Sequence, residues 1–145
     1  MYINFLSHDT GKQGYAQMFQ ELLELPEGTS LLFHCTQGKD RAGMAAAFVL
    51  AALGAGRDTI IADFDETNRH YAKDLKKFSR RVRFWGGKDQ ELAVVKAFIG
   101  ANTENFIRTL DRIDATYGSM ESYLKGPLSL SDTDIQTLKE RFLEA

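Results

Sequence analysis

The sequence has one cysteine, two prolines and no long hydrophobic run. A single cysteine excludes an internal disulfide, and the three histidines (His8, His34, His70) show no metal-ligand spacing around Cys35. The longest strongly apolar stretch, Ala45–Leu53, is far shorter than the about 20 residues that a helix needs to cross a bilayer. The first residues also lack the basic and then apolar pattern of a signal peptide. We therefore expect a cytoplasmic protein with no disulfide, metal or other cofactor.

Acidic residues are scarce in one part of the chain. Overall there are 18 Lys and Arg against 20 Asp and Glu, a net charge of -2. The segment Arg69–Lys88, called here the basic segment, has eight basic residues and one acid, Asp74, which leaves +7 in the segment and -9 elsewhere. This asymmetry favours an anionic partner for the basic segment, for which a membrane surface is one candidate. An amphipathic helix with a solvated basic face is the alternative interpretation.

Length and composition predict a single globular domain, 1–145. Strands are scarce, because only Tyr2–Leu6 and the apolar run Thr29–His34 have strand patterns, the second as a buried strand. Two strands make a poor sheet, so we expect a helix-rich α/β fold with few strands in this chain. Helical spacing or buried apolar runs predict helices over Gln13–Leu25, Ala42–Leu53, Thr59–Tyr71 continuing to about Arg83, Asp89–Ile99, Asn102 or Thr103 to Tyr117, Ser119–Lys125 and Asp132–Leu143.

Helix-end signals accompany this pattern. Asp58 is predicted to cap the helix that leads into the basic segment. Trp85-Gly86-Gly87 is predicted to end that helix. Ser131 and Asp134 have the spacing of a capping box at the start of the last helix.

The chemistry lies in the loop Cys35–Arg41, between the predicted buried strand and the helix Ala42–Leu53. Backbone N–H groups at a helix N-terminus bind anions, since the helix dipole favours negative charge there. Gly38 can adopt the positive φ that such a nest of N–H groups needs. The predicted substrate-binding residues for a phosphate group are the four loop positions Thr36, Gln37, Gly38 and Lys39.

Cys35 is the predicted nucleophile of this loop. The helix N-terminus, Lys39 and Arg41 would all stabilise its thiolate, which is the reactive form of cysteine. Arg41 follows six residues later, so the loop can curl until its planar guanidinium grips two phosphate oxygens. These residues predict attack of Cys35 on phosphorus with Arg41 holding the transferring group.

Two other kinds of anion-binding loop are alternatives for this segment. A Walker A loop is excluded, since Phe33 occupies the position of its first glycine and Asp40 that of its magnesium-binding Ser or Thr. A sulfur-transfer enzyme of the rhodanese kind also has a cysteine in an anion loop. The run Gly38-Lys39-Asp40-Arg41 argues against it, and thiosulfate turnover without phosphatase activity would support it.

The run His34-Cys35-Thr36-Gln37-Gly38-Lys39-Asp40-Arg41-Ala42-Gly43 resembles the loop HCxxGKDRTG of bacterial tyrosine phosphatases of the dual-specificity type. Leu50–Asn68 and Tyr117–Ser131 resemble the following parts of that family, so the likeness covers nearly the whole chain. It implies a cysteine-dependent phosphatase fold that hydrolyses phosphate monoesters through a phosphocysteine intermediate. It also implies a basic lid at 69–88 and a helical C-terminal module at 102–145.

Two departures from the family accompany the resemblance. Members have a further stretch before the equivalent of Tyr2 that supplies several strands, so the chain is expected to be truncated. Ala42 stands where the family has Thr or Ser, whose hydroxyl assists departure of the cysteine thiolate. The resemblance therefore implies a slow second step and a burst of product. A catalytically weak or inactive phosphate-binding remnant is the alternative function.

The general acid is left open between two carboxylates. The family is thought to use the aspartate of its Gly-Lys-Asp-Arg run, here Asp40, and Asp9 on an upstream loop is the alternative. His34 is expected to support the loop through a hydrogen bond. The expected substrates are phosphorylated proteins or phosphoinositides, and no nucleic-acid partner is expected.

Overall fold

Seven α-helices and no strand occupy the part of the chain that the computed structural model describes, residues 6 and 8–143. The helices are joined by short turns, apart from the extended stretch that carries Cys35. In chain order they are α1 (Asp9–Glu24), α2 (Arg41–Ala52), α3 (Arg57–Phe84), α4 (Asp89–Ile99), α5 (Thr103–Tyr117), α6 (Met120–Lys125) and α7 (Asp132–Phe142).

The predicted α/β layering is not seen in these residues. The prediction of a buried strand at Thr29–His34 is wrong: the segment is irregular, and Leu32 is 85% exposed. A strand exists only where a neighbouring backbone pairs with it, and no described segment lies alongside this one as a strand. The other predicted strand, Tyr2–Leu6, lies outside the described residues except for Leu6, which is buried and, against the prediction, is not in a strand.

The helix predictions are largely confirmed, with corrections at two starts. Helix α1 begins at Asp9, so the predicted helix start at Gln13 and the predicted loop position of Asp9 are wrong. Gly56, not Asp58, is the N-cap of α3, and Asp58 lies in the first turn, where a carboxylate also favours the helix dipole. The basic segment does continue the preceding helix, as predicted, into one helix of 28 residues that ends before Trp85.

Helix α2 is the centre of the core, as its apolar sequence predicted. The ring of Phe48 is completely buried, stacks on Tyr123 at 5.4 Å between centroids, and meets the edge of Tyr15 at 5.0 Å. Helices α3, α6 and α7 pack around α2, while α1 packs against α7. The N-terminus of α2, where the predicted loop ends, is therefore held by the best-packed part of the molecule.

Helices α3 and α4 form a hairpin that flanks the loop. The N-terminal half of α3 packs on α2 and α5, with Phe64 stacked on Phe106 at 3.9 Å. The ring of Phe64 also lies close to the backbone of α2 at Gly43. A glycine is needed there, since a Cβ at Gly43 would lie 2.8 Å from Cε2 of Phe64. The C-terminal half of α3 carries the basic segment and packs against α4, which has no buried residue.

The C-terminal helices are capped by side chains. Asn102 caps α5, Ser119 caps α6, and Ser131 forms with Asp134 the capping box that the sequence predicted. Each such cap satisfies an otherwise unpaired N–H and is worth about 1 kcal/mol. These local signals fix the bounds of the predicted helical module within the described residues.

Candidate active site

The loop between the extended segment and α2 curls around the sulfur of Cys35. Residues 36–40 form consecutive bends, and Gly38 has the predicted positive φ, +67°. A side chain there would be strained, whereas glycine adopts this conformation freely. Four backbone N–H groups donate hydrogen bonds to the sulfur, those of Ala42, Gln37, Gly38 and Arg41.

These donors favour the thiolate form of the cysteine. Partial burial raises the pKa of the Cys35 thiol, but the four backbone hydrogen bonds outweigh it and hold the pKa below its ordinary value. The residue Cys35 as a whole is half-buried. A thiolate in such a nest is a nucleophile at neutral pH.

Arg41 lies in the first turn of α2, and its guanidinium contacts the residue that follows Cys35. Its Nη2 donates a hydrogen bond of 3.4 Å to the hydroxyl of Thr36, so the guanidinium folds back over the loop. The N-terminus of α2 adds the positive end of the helix dipole at the same point. The loop thus combines the Cys35 sulfur, the Arg41 guanidinium and several backbone donors within one short segment.

Lys39, which was predicted to bind phosphate, makes its contacts with backbone carbonyl groups of the protein. It is 3% exposed, and its Nζ donates to the carbonyl oxygens of Phe98 at 2.5 Å and Gly100 at 2.8 Å. These carbonyls lie at the C-terminal end of α4, where the helix dipole favours a cation. In this structure Lys39 therefore anchors the loop to α4.

Tyr71 of α3 is a second anchor, which the sequence analysis missed. Its hydroxyl donates a hydrogen bond of 2.6 Å to the carbonyl oxygen of Gln37, 34 residues away. Helical spacing could assign Tyr71 only to a face of α3. A contact between a side chain and a backbone carbonyl so far apart in the sequence leaves no sequence pattern. The predicted lid segment thus touches the loop through its third residue.

A cluster of partly exposed polar side chains lies next to the turn that follows α4. The amide of Asn68 donates to the carbonyl oxygen of Ala101 at 3.1 Å and accepts from the N–H of Ala101 at 2.9 Å. The hydroxyl of Thr103 donates to Asp65 at 2.5 Å, and hydrogen bonds from Thr103 and Asn68 lower the pKa of that carboxyl. The cluster fixes the turn after α4 that receives Lys39.

Tyr15 of α1 borders the site on the opposite side. Its hydroxyl donates to the carbonyl oxygen of Arg41 at 3.2 Å. Burial raises the pKa of Tyr15 to about 12, with the nearby charge of Arg41 opposing and that of Cys35 adding to the rise. Tyr15 also lines, with His34 and Arg41, a cavity of about 260 Å³ beside the loop. The sequence analysis assigned Tyr15 only to an apolar stripe.

The two candidate acids lie at different places. Asp40 is half-buried directly before α2, and its carbonyl oxygen accepts from the N–H of Met44 at 3.0 Å. Asp9 is the first residue of α1, with a carboxylate 89% exposed and 3.6 Å from Nζ of Lys12. The next two residues of α1 line the cavity beside Arg41, which puts Asp9 close to the rim of the site.

His34 is exposed, with Nδ1 3.4 Å from the carbonyl oxygen of its neighbour Cys35. This long local contact is compatible with the predicted supporting role. Among residues 6 and 8–143, no group of three or more His, Cys, Asp or Glu side chains is arranged to hold a metal ion. None of the described helices combines the length and the apolar character that crossing a bilayer demands.

The comparison with known families agrees with the family that the sequence of this loop resembles. Residues 1–144 match the model of the tyrosine phosphatase family. The chain belongs to the tyrosine phosphatase family.

Three relatives of this tyrosine phosphatase family member cover different shares of it. A Cupriavidus necator protein named as a tyrosine-protein phosphatase is 32% identical over 130 residues, 89% of this chain. The triple specificity protein phosphatase PtpB of Mycobacterium tuberculosis is 34% identical over 113 residues, 70% of the chain. A tyrosine-protein phosphatase of Nostoc commune is 29% identical over 147 residues, 99% of the chain.

The matched regions make up 45%, 40% and 48% of these three relatives. The chain thus spans about half the length of the curated tyrosine phosphatases that it matches. The family resemblance predicted from the loop is confirmed, while the roles of individual loop residues stay predictions.

Proposed function

We propose that this chain hydrolyses phosphate monoesters through a phosphocysteine intermediate. The observation that carries the proposal is the Cys35 sulfur, which accepts four backbone hydrogen bonds in a loop that the guanidinium of Arg41 also contacts through Thr36. A site that stabilises a thiolate with N–H donors also stabilises the equatorial oxygens of a phosphoryl group in transfer. Membership of the tyrosine phosphatase family supports the same chemistry.

The reaction has two steps. The thiolate of Cys35 attacks phosphorus, the bond from phosphorus to the ester oxygen breaks, and an aspartic acid protonates the departing oxygen. Asp40 is the first candidate for this acid and Asp9 the second. Water then attacks the phosphocysteine, the sulfur leaves as thiolate, and inorganic phosphate is released. Arg41 and the loop N–H groups hold the phosphoryl oxygens throughout.

The proposed substrates are phosphorylated proteins, consistent with the names of the relatives. Phosphoinositides are a second candidate class, because the basic segment on α3 would attract a strongly anionic headgroup. The predicted roles of Thr36, Gln37 and Gly38 in holding substrate follow from their place in the curl. For Lys39, its two carbonyl contacts support an anchoring role in place of a direct phosphate contact.

The test is hydrolysis of para-nitrophenyl phosphate by the purified chain in the presence of a metal chelator. Wild-type turnover should fall at least about a thousandfold in Cys35→Ser, since loss of a nucleophile removes the covalent route. Arg41→Ala should also lose activity, because Arg41 holds the phosphoryl oxygens. Its matched control is Arg112→Ala, which replaces an exposed arginine of α5 and should retain full activity.

A folded wild-type chain that binds inorganic phosphate without turnover would support the phosphate-binding remnant. Thiosulfate turnover without phosphatase activity would support sulfur transfer. Either result overturns the proposal.

A further inference from the structure

The turn of the α3–α4 hairpin exposes two aromatic side chains. Phe84 is 83% exposed and Trp85 82% exposed, and their rings meet edge to face at 5.7 Å between centroids. Two large rings left in water at one turn are costly unless something covers them. We call this region, residues 77–88, the hairpin tip.

Cations surround these rings. A shallow depression of about 740 Å³ is lined only by Phe84, Trp85 and four basic residues, Lys77, Arg80, Arg81 and Arg83. Arg83 is paired with Asp89 at 2.5 Å. Within residues 6 and 8–143, no carboxylate lies within 4.0 Å of the charged nitrogens of Lys77, Arg80 or Arg81.

We propose that the hairpin tip docks on an anionic membrane surface, with Trp85 and Phe84 in the interfacial layer and the surrounding cations on lipid phosphates. Exposed aromatic rings encircled by Lys and Arg are the side chains that favour this layer. The proposal goes beyond the proposed function, because it requires no turnover at Cys35.

The distribution of charge sets the orientation. The basic segment has a net charge of +7, and the rest of the chain has -9. An anionic surface therefore attracts the tip and repels the remainder, so the molecule should approach with the hairpin tip foremost.

The apolar side chains of the same hairpin favour lipid over other anionic partners. Phe78, Val94 and Phe98 are 43%, 65% and 69% exposed and line one groove between α3 and α4. A single-stranded nucleic acid would use aromatic rings as stacking platforms, but it gains little from an exposed valine. A second copy of the chain would bring two strongly basic tips together, which like-charge repulsion opposes.

Trp85 is the only tryptophan of the chain, so its fluorescence reports on the tip alone. Vesicles of phosphatidylcholine with about 30% phosphatidylserine should sediment the chain and shift Trp85 emission to the blue, and about 0.5 M NaCl should reverse both effects. Pure phosphatidylcholine vesicles should do neither. Because the readout needs no hydrolysis, it stands whether or not the chain is a phosphatase.

Matched double variants test the role of the tip charges. Arg80→Gln with Arg81→Gln should weaken partitioning into the anionic vesicles by roughly 10- to 30-fold, as expected for about 1 kcal/mol per cation. Arg108→Gln with Arg112→Gln removes the same charge from exposed positions on α5 and should change partitioning less than about twofold.

Several outcomes would overturn the proposal. These are equal loss in both double variants, equal binding to neutral vesicles, or sedimentation with unchanged Trp85 emission. A blue shift that grows with protein concentration without vesicles would assign the tip to a second copy. A response to a single-stranded oligonucleotide but not to anionic vesicles would assign it to nucleic acid.

Discussion

The hydroxyl of Tyr71 donates a hydrogen bond of 2.6 Å to the carbonyl oxygen of Gln37. This carbonyl and the N–H of Gly38 belong to the same peptide group, and that N–H donates to the sulfur of Cys35. Hydrogen bonds in a chain polarise one another. Tyr71 therefore strengthens a donor to the thiolate without touching it, and acts as a positioning residue.

Replacing Tyr71 by Phe should raise the pKa of the Cys35 thiol. The pKa is lowered in the folded chain by backbone donors that outweigh burial, and the variant weakens one of them. The pH profile of iodoacetamide alkylation should therefore move to higher pH, and the wild-type profile measured in urea should lie higher than in the folded chain.

Tyr117→Phe is the control for this effect, because Tyr117 packs against Tyr123 and not against the loop. Its alkylation profile should match that of the wild type. An unchanged profile in Tyr71→Phe would show that the contact with Gln37 is structural only.

Lys39→Met should destabilise the fold. The variant leaves the carbonyl oxygens of Phe98 and Gly100 without the ammonium, and each buried polar group left unpaired costs about 1–3 kcal/mol. Urea denaturation should show a lower free energy of unfolding, while Lys73→Met, an exposed lysine of α3, should show no change. A variant of full stability with a raised KM would return Lys39 to the predicted role of phosphate ligand.

Two glycine substitutions should have opposite effects on the stability of the fold. In Gly43→Ala the new Cβ would lie 2.8 Å from the ring of Phe64, which forces α2 and α3 apart and should cost about 1–3 kcal/mol. In Gly14→Ala nothing lies within 4 Å of the new Cβ, so the helix propensity of alanine should stabilise α1 by about 0.5–1 kcal/mol. Thermal melts of both variants measure this, and destabilisation of equal size in both would contradict it.

Ala42→Ser should speed the second chemical step. Ala42 provides a backbone N–H to Cys35 but no hydroxyl to assist departure of the thiolate from phosphocysteine. In stopped-flow assays with para-nitrophenyl phosphate, the wild type should release a burst of nitrophenol before a slower steady rate. The variant should lose the burst and turn over faster. Linear release by the wild type from the first turnover would contradict the slow second step.

The helices and the chemical loop could be predicted from the sequence because both depend on local signals. Apolar spacing predicts helices such as α5, and capping residues such as Ser131 predict where a helix starts, in that case α7. The run from His34 to Gly43 specifies the phosphatase loop by residue type and order. Gly38 is a local requirement of the same kind, since its positive φ depends on the absence of a side chain.

Tertiary packing decided what local signals could not. The apolar run Thr29–His34 has the composition of a strand, but a strand needs a paired backbone, and no described segment supplies one. The contact of Lys39 with Phe98 and the contact of Tyr71 with Gln37 join residues 59 and 34 positions apart. Such contacts exist only once α3 packs on α2 and α4 packs on α3. The sequence thus determined which residues form the loop of the family, and only the tertiary structure decided which side chains hold that loop in place.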